Sequence, residues 1–170
     1  RQKTGINFLF FDDIPGARLD PEAPAGHLFF MIKMTIEIPA SIDEAWNYLT
    51  ETAHLRQWWN NGISLDASLG GRFEEPWTDP LGKPAVTSGK VLNLKAPRAM
   101  HLSWADADWP IETEVFIDLK PSGRGTRLTL THGGWSAFPE GDRSYLISSH
   151  RDGWSRHLES LASYASTTLN

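Results

Sequence analysis

The residues with most chemical promise are a carboxylate and an imidazole set among large aromatics. In "GGRFEEPW", residues 70–77, Phe73, Glu75 and Trp77 alternate with Arg72 and Glu74. That is the period-two pattern of a β-strand, so the face that takes Phe73 and Trp77 must also take Glu75. In "TRLTLTHGG", residues 126–134, the same alternation sets His132 beside Leu128 and Leu130. A charge on an apolar face is costly unless it finds a donor, stays near solvent or becomes neutral. His132 has two ring nitrogens that could serve Glu75 or a ligand. A plainer reading stays open, with Glu75 in water at the mouth of the fold and His132 a satisfied core histidine. Pro76 could also bulge the strand and turn Glu75 outward.

Other chemistries find little support. There is no cysteine and no Gly-x-Ser-x-Gly elbow, which leaves no recognisable nucleophile. The histidines at 27, 54, 101, 132, 150 and 157 have no metal-ligand spacing, so no metal site is expected. "LGGRF" lacks a phosphate-loop pattern, and nothing implies a cofactor. Glu112, Glu114 and Asp118 most simply form a solvated surface.

The elements that would position these residues follow from periodicity. Ile32, Met34, Ile36 and Ile38 alternate with polar residues until Pro39, which describes a strand with one buried face. "SIDEAWNYLT" carries a capping box, Ser41 with Glu44, ahead of an amphipathic helix through Ile42, Ala45, Trp46 and Leu49. "ETAHLRQWWNNG" reads as a second short helix ended by Asn61-Gly62. Six strands follow, in which "PSGRG" marks a hairpin turn. Ile147, His150, Trp154, Leu158, Leu161 and Ala165 then recur at steps of three and four, the stripe of one long helix. Gly153 inside it would have a reason if the helix backbone lies close to a neighbour.

Residues 1–30 read differently from the rest. "INFLFF", residues 6–11, is too apolar to leave exposed and is expected to add a strand to the sheet, joined by the Pro- and Gly-rich "IPGARLDPEAPAG". Residues 31–170 are expected to form one domain.

Composition bounds the function. A net charge of -5 gives no basic footprint, which argues against nucleic acid and anionic membranes as partners. No apolar run approaches the roughly 20 residues of a membrane span, and no signal-like start is present, so a cytoplasmic location is expected. Eight tryptophans in 170 residues mean either an unusually aromatic core or an aromatic ligand site. An antiparallel sheet with one buried face needs a covering layer, and only the last helix is long enough. A curved sheet gripping that helix leaves space for a ligand near the short helices.

The stretches "TIEIPASIDEAWNYLT", "RQWW", "GGRFE", "GKVLNLKAPRAMHLSW", "EVFIDLKPSGRGTRLTLTHGGW" and "HRDGWSRHLESLASY" resemble the SRPBCC (START-like, helix-grip) superfamily. Within it the chain is similar to the domain named for homology to the activator of the ninety-kilodalton heat-shock protein ATPase. The resemblance implies an α+β helix-grip fold: a curved antiparallel sheet of about six or seven strands, two short helices after the first core strand, and the long C-terminal helix. It also implies that the face carrying Phe73 and Glu75 looks into a cavity. The expected ligand-binding set is Trp58, Trp59, Phe73, Glu75, Trp77, Trp104, His132, Trp135 and Trp154. The expected function is binding of a small hydrophobic or aromatic molecule, with catalysis left open and binding alone favoured. Two alternatives stand beside it: a co-chaperone-like module acting on a heat-shock ATPase, and a lyase or cyclase on a bound hydrophobic substrate. A homodimer is also compatible with the resemblance.

Overall fold

In the computed structural model, which describes residues 30–168, the first alternating stretch forms β1 (Ile32–Ile38), with both end residues buried. The "INFLFF" stretch, its expected strand and the division of the chain at residue 30 lie outside the described residues or on their edge. After Pro39, Ser41 caps α1 (Ile42–Thr50). Its hydroxyl accepts from the Glu44 N–H at 3.3 Å, and its own N–H donates to the Glu44 carboxylate at 2.9 Å. The capping box therefore forms as the spacing predicts. A second short helix, α2 (Thr52–Trp58), folds back on α1, and the Trp58 indole donates to the Tyr48 carbonyl at 2.9 Å.

Six strands follow: β2 (Ser64–Leu65), β3 (Arg72–Thr78), β4 (Pro84–Lys95), β5 (Ala99–Asp106), β6 (Thr113–Ser122) and β7 (Gly125–Gly133). They form one seven-stranded antiparallel sheet in the order β1-β7-β6-β5-β4-β3-β2. Each strand from β2 to β7 pairs with the next along the chain, and β1 closes the far side against β7. The β6–β7 register runs unbroken to Ser122↔Gly125, which leaves a two-residue turn. Gly123 there has φ +58°, a conformation that glycine adopts without steric penalty.

The long helix α3 (Glu140–Thr167) is continuous over 28 residues. It starts seven residues before the expected Ile147, because residues 140–144 hold only polar residues and a glycine and carry no apolar stripe to read. Pro139 precedes it, and Glu140 and Asp142 place negative charge at the positive end of the helix dipole. Arg143 reaches back to the carbonyls of Trp135 at 3.2 Å and Phe138 at 2.8 Å, which fastens the 3-10 turn Trp135–Ala137 to the helix start. Ile147, Trp154, Leu158, Leu161 and Ala165 are buried against the sheet and the short helices. The architecture is thus the expected α+β helix grip, a curved antiparallel sheet around a long C-terminal helix.

Gly153 does not do what its position suggested. A side chain there would meet nothing within 4 Å, so no close approach requires the glycine. Gly153→Ala should therefore stabilise the protein by up to about 1 kcal/mol through helix propensity. Urea unfolding would show this as a raised midpoint with an unchanged slope; a lowered midpoint would reveal a packing role for the glycine.

Candidate functional site

The site is built on β3. Its outer neighbour β2 pairs only with Phe73 and Glu74, so β3 is an edge strand from Glu75 onward. A proline, which has no N–H to give a ladder, is tolerated at such an edge. Asn60 covers it by donating to the Pro76 carbonyl at 2.7 Å. Gly62 completes the seat, since a Cβ there would lie 2.4 Å from the Pro76 ring. The register with β4 stays unbroken from Arg72↔Lys90 to Thr78↔Pro84. No bulge turns Glu75 outward. It keeps the face of Phe73 and is only 9% exposed. Across the sheet Glu75 pairs with Thr87 on β4, and Thr87 pairs with Asp106 on β5 and hydrogen-bonds its carboxylate.

Aromatic rings fill the space beside this row. Phe73 pairs with Gly89, which has no side chain, so its ring stacks across β4 on Trp104 of β5 at 5.1 Å. Gly89 is also required sterically, because a Cβ would lie 1.8 Å from the Ser103 carbonyl oxygen. Trp59, at the end of α2, lies 5.6 Å from Phe73, 6.3 Å from Trp104 and 5.4 Å from Trp154 between ring centroids. Its nearest ring is His157 of α3, at 4.8 Å. His150, Trp154 and His157 are spaced by four and three residues, so one face of α3 presents all three to the sheet.

Burial dominates the electrostatics. Desolvation raises the pKa of Glu75 to about 7; the nearby Trp59 indole opposes this, and the Asp106 carboxylate adds to it. The Trp59 N–H is near enough to Glu75 to act on its charge but falls outside hydrogen-bonding geometry, and has no partner among the described residues. The His157 Nε2 lies 3.6 Å from Glu75 Oε1. Burial, with a smaller effect of Arg156, lowers the His157 pKa to about 4. Between those two values both groups are neutral, so the contact is a close polar pair and not an ion pair. Burial also lowers the pKa of His150, against its hydrogen bond to the Leu146 carbonyl and the charge of Asp106.

His132 is completely buried and fully bonded. The Thr113 hydroxyl has one proton and gives it to the Trp104 carbonyl at 2.9 Å. It must then accept from His132 Nε2 at 2.8 Å, which makes Nε2 the protonated nitrogen. His132 Nδ1 accepts from the Trp154 indole at 3.0 Å. Burial, and then His150, hold its pKa well below the usual value. Both ring nitrogens are used within the protein.

The expected ligand-binding residues therefore divide. Trp59, Phe73, Glu75, Trp104 and Trp154 meet in one cluster, with Trp58 packed behind Trp59 at 5.3 Å. Trp135 belongs to a neighbouring group with Trp109, Phe138 and His150, and donates to the His132 carbonyl at 2.9 Å. Trp77 is 36% exposed and donates to Thr87 at 3.0 Å. Asp106, His150 and His157 also belong to the site but carried no role in the sequence reading. Extending the alternation of Trp104 by two would have reached Asp106, and stepping three beyond Trp154 would have reached His157. Among the described residues no group of three or more metal-ligating side chains could hold an ion, and no described helix is long and apolar enough to cross a membrane.

Comparison with known proteins places the fold. The family model described as Activator of Hsp90 ATPase homolog 1-like protein matches residues 39–166. No curated protein matches the chain. Among solved structures, Ms6760 from Mycobacterium smegmatis is similar at 18% identity and a TM-score of 0.68, over 84% of this chain and 94% of that one. The Aha1 dimer from Colwellia psychrerythraea, solved in solution, is similar at 24% identity and a TM-score of 0.61, over 78% and 92%. DynU16, a protein in the dynemicin biosynthetic locus, is similar at 19% identity and a TM-score of 0.66, over 82% of this chain but 48% of its own. The chain thus spans about half the length of DynU16. At these identities the likeness is one of fold.

The raised Glu75 pKa has a consequence for stability. Between its ordinary value of 4.5 and about 7, the folded protein holds a proton here that the unfolded chain has lost. The contribution of this group to stability therefore falls as pH rises through that window. His157 acts in the opposite sense, losing its contribution as pH falls from 6.5 to about 4. Glu75→Gln removes the first effect and leaves the second. The variant should gain on the wild type as pH rises from about 4.5 to about 7, by on the order of 3 kcal/mol. Urea unfolding at steps across this range measures the difference, and a flat difference would mean that Glu75 titrates normally.

Proposed function

From the premise that this chain belongs to the activator of Hsp90 ATPase homolog 1-like family, we propose that it binds a small, flat hydrophobic or aromatic molecule between the sheet and α3, with Glu75 as the polar anchor. One observation carries this reading: among the described residues Glu75 is buried beside aromatic rings with no cation against it, and its closest polar contacts are the neutral His157 imidazole at 3.6 Å and the Trp59 indole, which stands outside hydrogen-bonding geometry. A fold alone has no use for such a group, because an apolar side chain of similar size there would be at least as stable. Few polar atoms converging on an apolar surface is the usual form of a ligand site. Perturbed titration in an enclosed place points the same way.

The partly exposed members of the cluster mark the way in. Trp59 is half-buried, and the His157 side chain is 26% exposed against 12% for Glu75. A ligand enters between the end of α2 and the middle of α3 and meets Trp59 first. The place of DynU16 in a biosynthetic locus is compatible with a small-molecule role for this fold.

Titration of the protein with two- and three-ring aromatic compounds should change its tryptophan emission, since the ligand would sit among several indoles. Glu75→Ala should weaken binding about tenfold to a hundredfold while circular dichroism stays unchanged, the loss of one hydrogen bond to a titratable group. Emission that no compound alters would overturn the proposal, and so would equal affinity of the variant and the wild type.

A further inference from the structure

We infer that the molecule this site takes carries an uncharged oxygen acceptor, as in an aromatic ketone or aldehyde, which lies against the indole N–H groups of Trp59 and Trp104 and the carboxylic acid of Glu75. This rests on the ligand-binding reading above and specifies its chemistry. Four indoles in and around the site have their N–H groups satisfied within the protein. Trp58 donates to the Tyr48 carbonyl, Trp77 to Thr87, Trp135 to the His132 carbonyl and Trp154 to His132 Nδ1, all at 2.9–3.0 Å. The exceptions are Trp59 and Trp104, whose N–H groups are buried with no acceptor among the described residues. The two exceptions are neighbours, their rings stacked at 6.3 Å and both packed on Phe73. Trp104 is only 5% exposed, so bulk water does not serve it.

An indole nitrogen donates and never accepts. Protonated Glu75, beside the Trp59 indole, also offers a donor. A site whose unfilled positions are donors selects an acceptor, because a ligand lacking one leaves buried groups unpaired. A cation would find no acceptor on either indole. An anion would meet the carboxylates of Glu75 and Asp106, which already repel each other. A bare hydrocarbon would fill the apolar surface and satisfy nothing. A phenol could donate to a Glu75 oxygen in either protonation state, and most strongly to the ionised form.

The groups that face Glu75 keep the pH behaviour simple. From α3 come His157 and, beyond it, His150, both with pKa values below the ordinary one, so neither gains a charge above neutrality. From β5 comes Asp106, from β4 the neutral Thr87, and from the end of α2 the indole of Trp59. Of Glu75, His150 and His157, Glu75 is the group whose charge changes above neutrality. Its donor is present below about pH 7 and is lost as pH rises through that value. Affinity for a carbonyl ligand should follow it downward.

The test is calorimetric titration with three probes of similar shape: 2-acetylnaphthalene, 2-isopropenylnaphthalene and 2-naphthol, at pH 6 and pH 8.5. The ketone should bind at least tenfold more tightly than the hydrocarbon at the lower pH, and this margin should shrink at the higher pH. Glu75→Gln keeps an N–H donor that does not titrate, so its margin should persist at both. Trp104→Phe keeps an aromatic ring and removes the N–H, and should weaken the ketone by a larger factor than the hydrocarbon. Equal binding of ketone and hydrocarbon at both pH values would overturn this inference and leave an aromatic site standing. Naphthol gaining affinity as pH rises would overturn it in favour of a donor ligand. Binding of none of the three would bring down the ligand-binding reading as well.

Discussion

The hydrogen bond from the Trp154 indole to His132 Nδ1, at 3.0 Å, sets the rotation of α3 against the sheet. Everything at the site depends on that rotation. With Trp154 turned toward β7, His150 lies one turn earlier beside Trp135, and His157 one turn later beside Glu75. The bond needs an unprotonated Nδ1, and the chain Trp104 carbonyl–Thr113–His132 supplies it by fixing the proton on Nε2. Protonation of His132 would turn Nδ1 into a donor facing another donor. Complete burial prevents this by holding the pKa far below its usual value. A histidine that looks like a ligand contact is thus the pin that orients the helix.

Glu75 is the counterpart of that satisfied group. Its neighbours supply rings, a neutral imidazole and a second carboxylate, and the Trp59 indole offsets only part of the cost of burying its charge. Its place on the inner face follows from plain strand geometry. Pro76 sits at a free edge, Gly62 and Asn60 receive it, and the alternation passes through undisturbed. The fold therefore keeps a titrating carboxyl in an aromatic interior at a cost to its own stability. The chemical logic of donors without acceptors follows from the same arrangement.

Much of this was legible in the residues. Period two placed Glu75 with Phe73, and His132 with Leu128 and Leu130, because alternation is a property of the strand itself. The capping box at Ser41 and Glu44 and the stripe from Ile147 to Ala165 are equally local. What alternation cannot report is where along a face two elements touch. Trp77 shares the face of Phe73 but stands four residues further on, next to the turn of the β3–β4 hairpin, so it remains partly exposed. Trp135 joins a different ring group because the 3-10 turn carries it past the end of β7. Thr87 and Asp106 depend on the register of three strands, and Gly153 on what lies beside the helix. None of these follows from one segment read alone.

The helices also have a mechanical order. Tyr164 near the end of α3 bonds His54 of α2 at 2.7 Å, Thr168 bonds Tyr48 of α1 at 3.0 Å, and Ser160 bonds the Trp58 carbonyl at 2.7 Å. These ties make α1, α2 and the later half of α3 a single stiff body. Trp59 is carried on that body, whereas Phe73 and Trp104 are carried on the sheet. A molecule inserted between Trp59 and the pair Phe73 and Trp104 would thus sit between the helices and the sheet. The unpaired indole donors therefore lie where that helical body meets the sheet, one on each side of the seam.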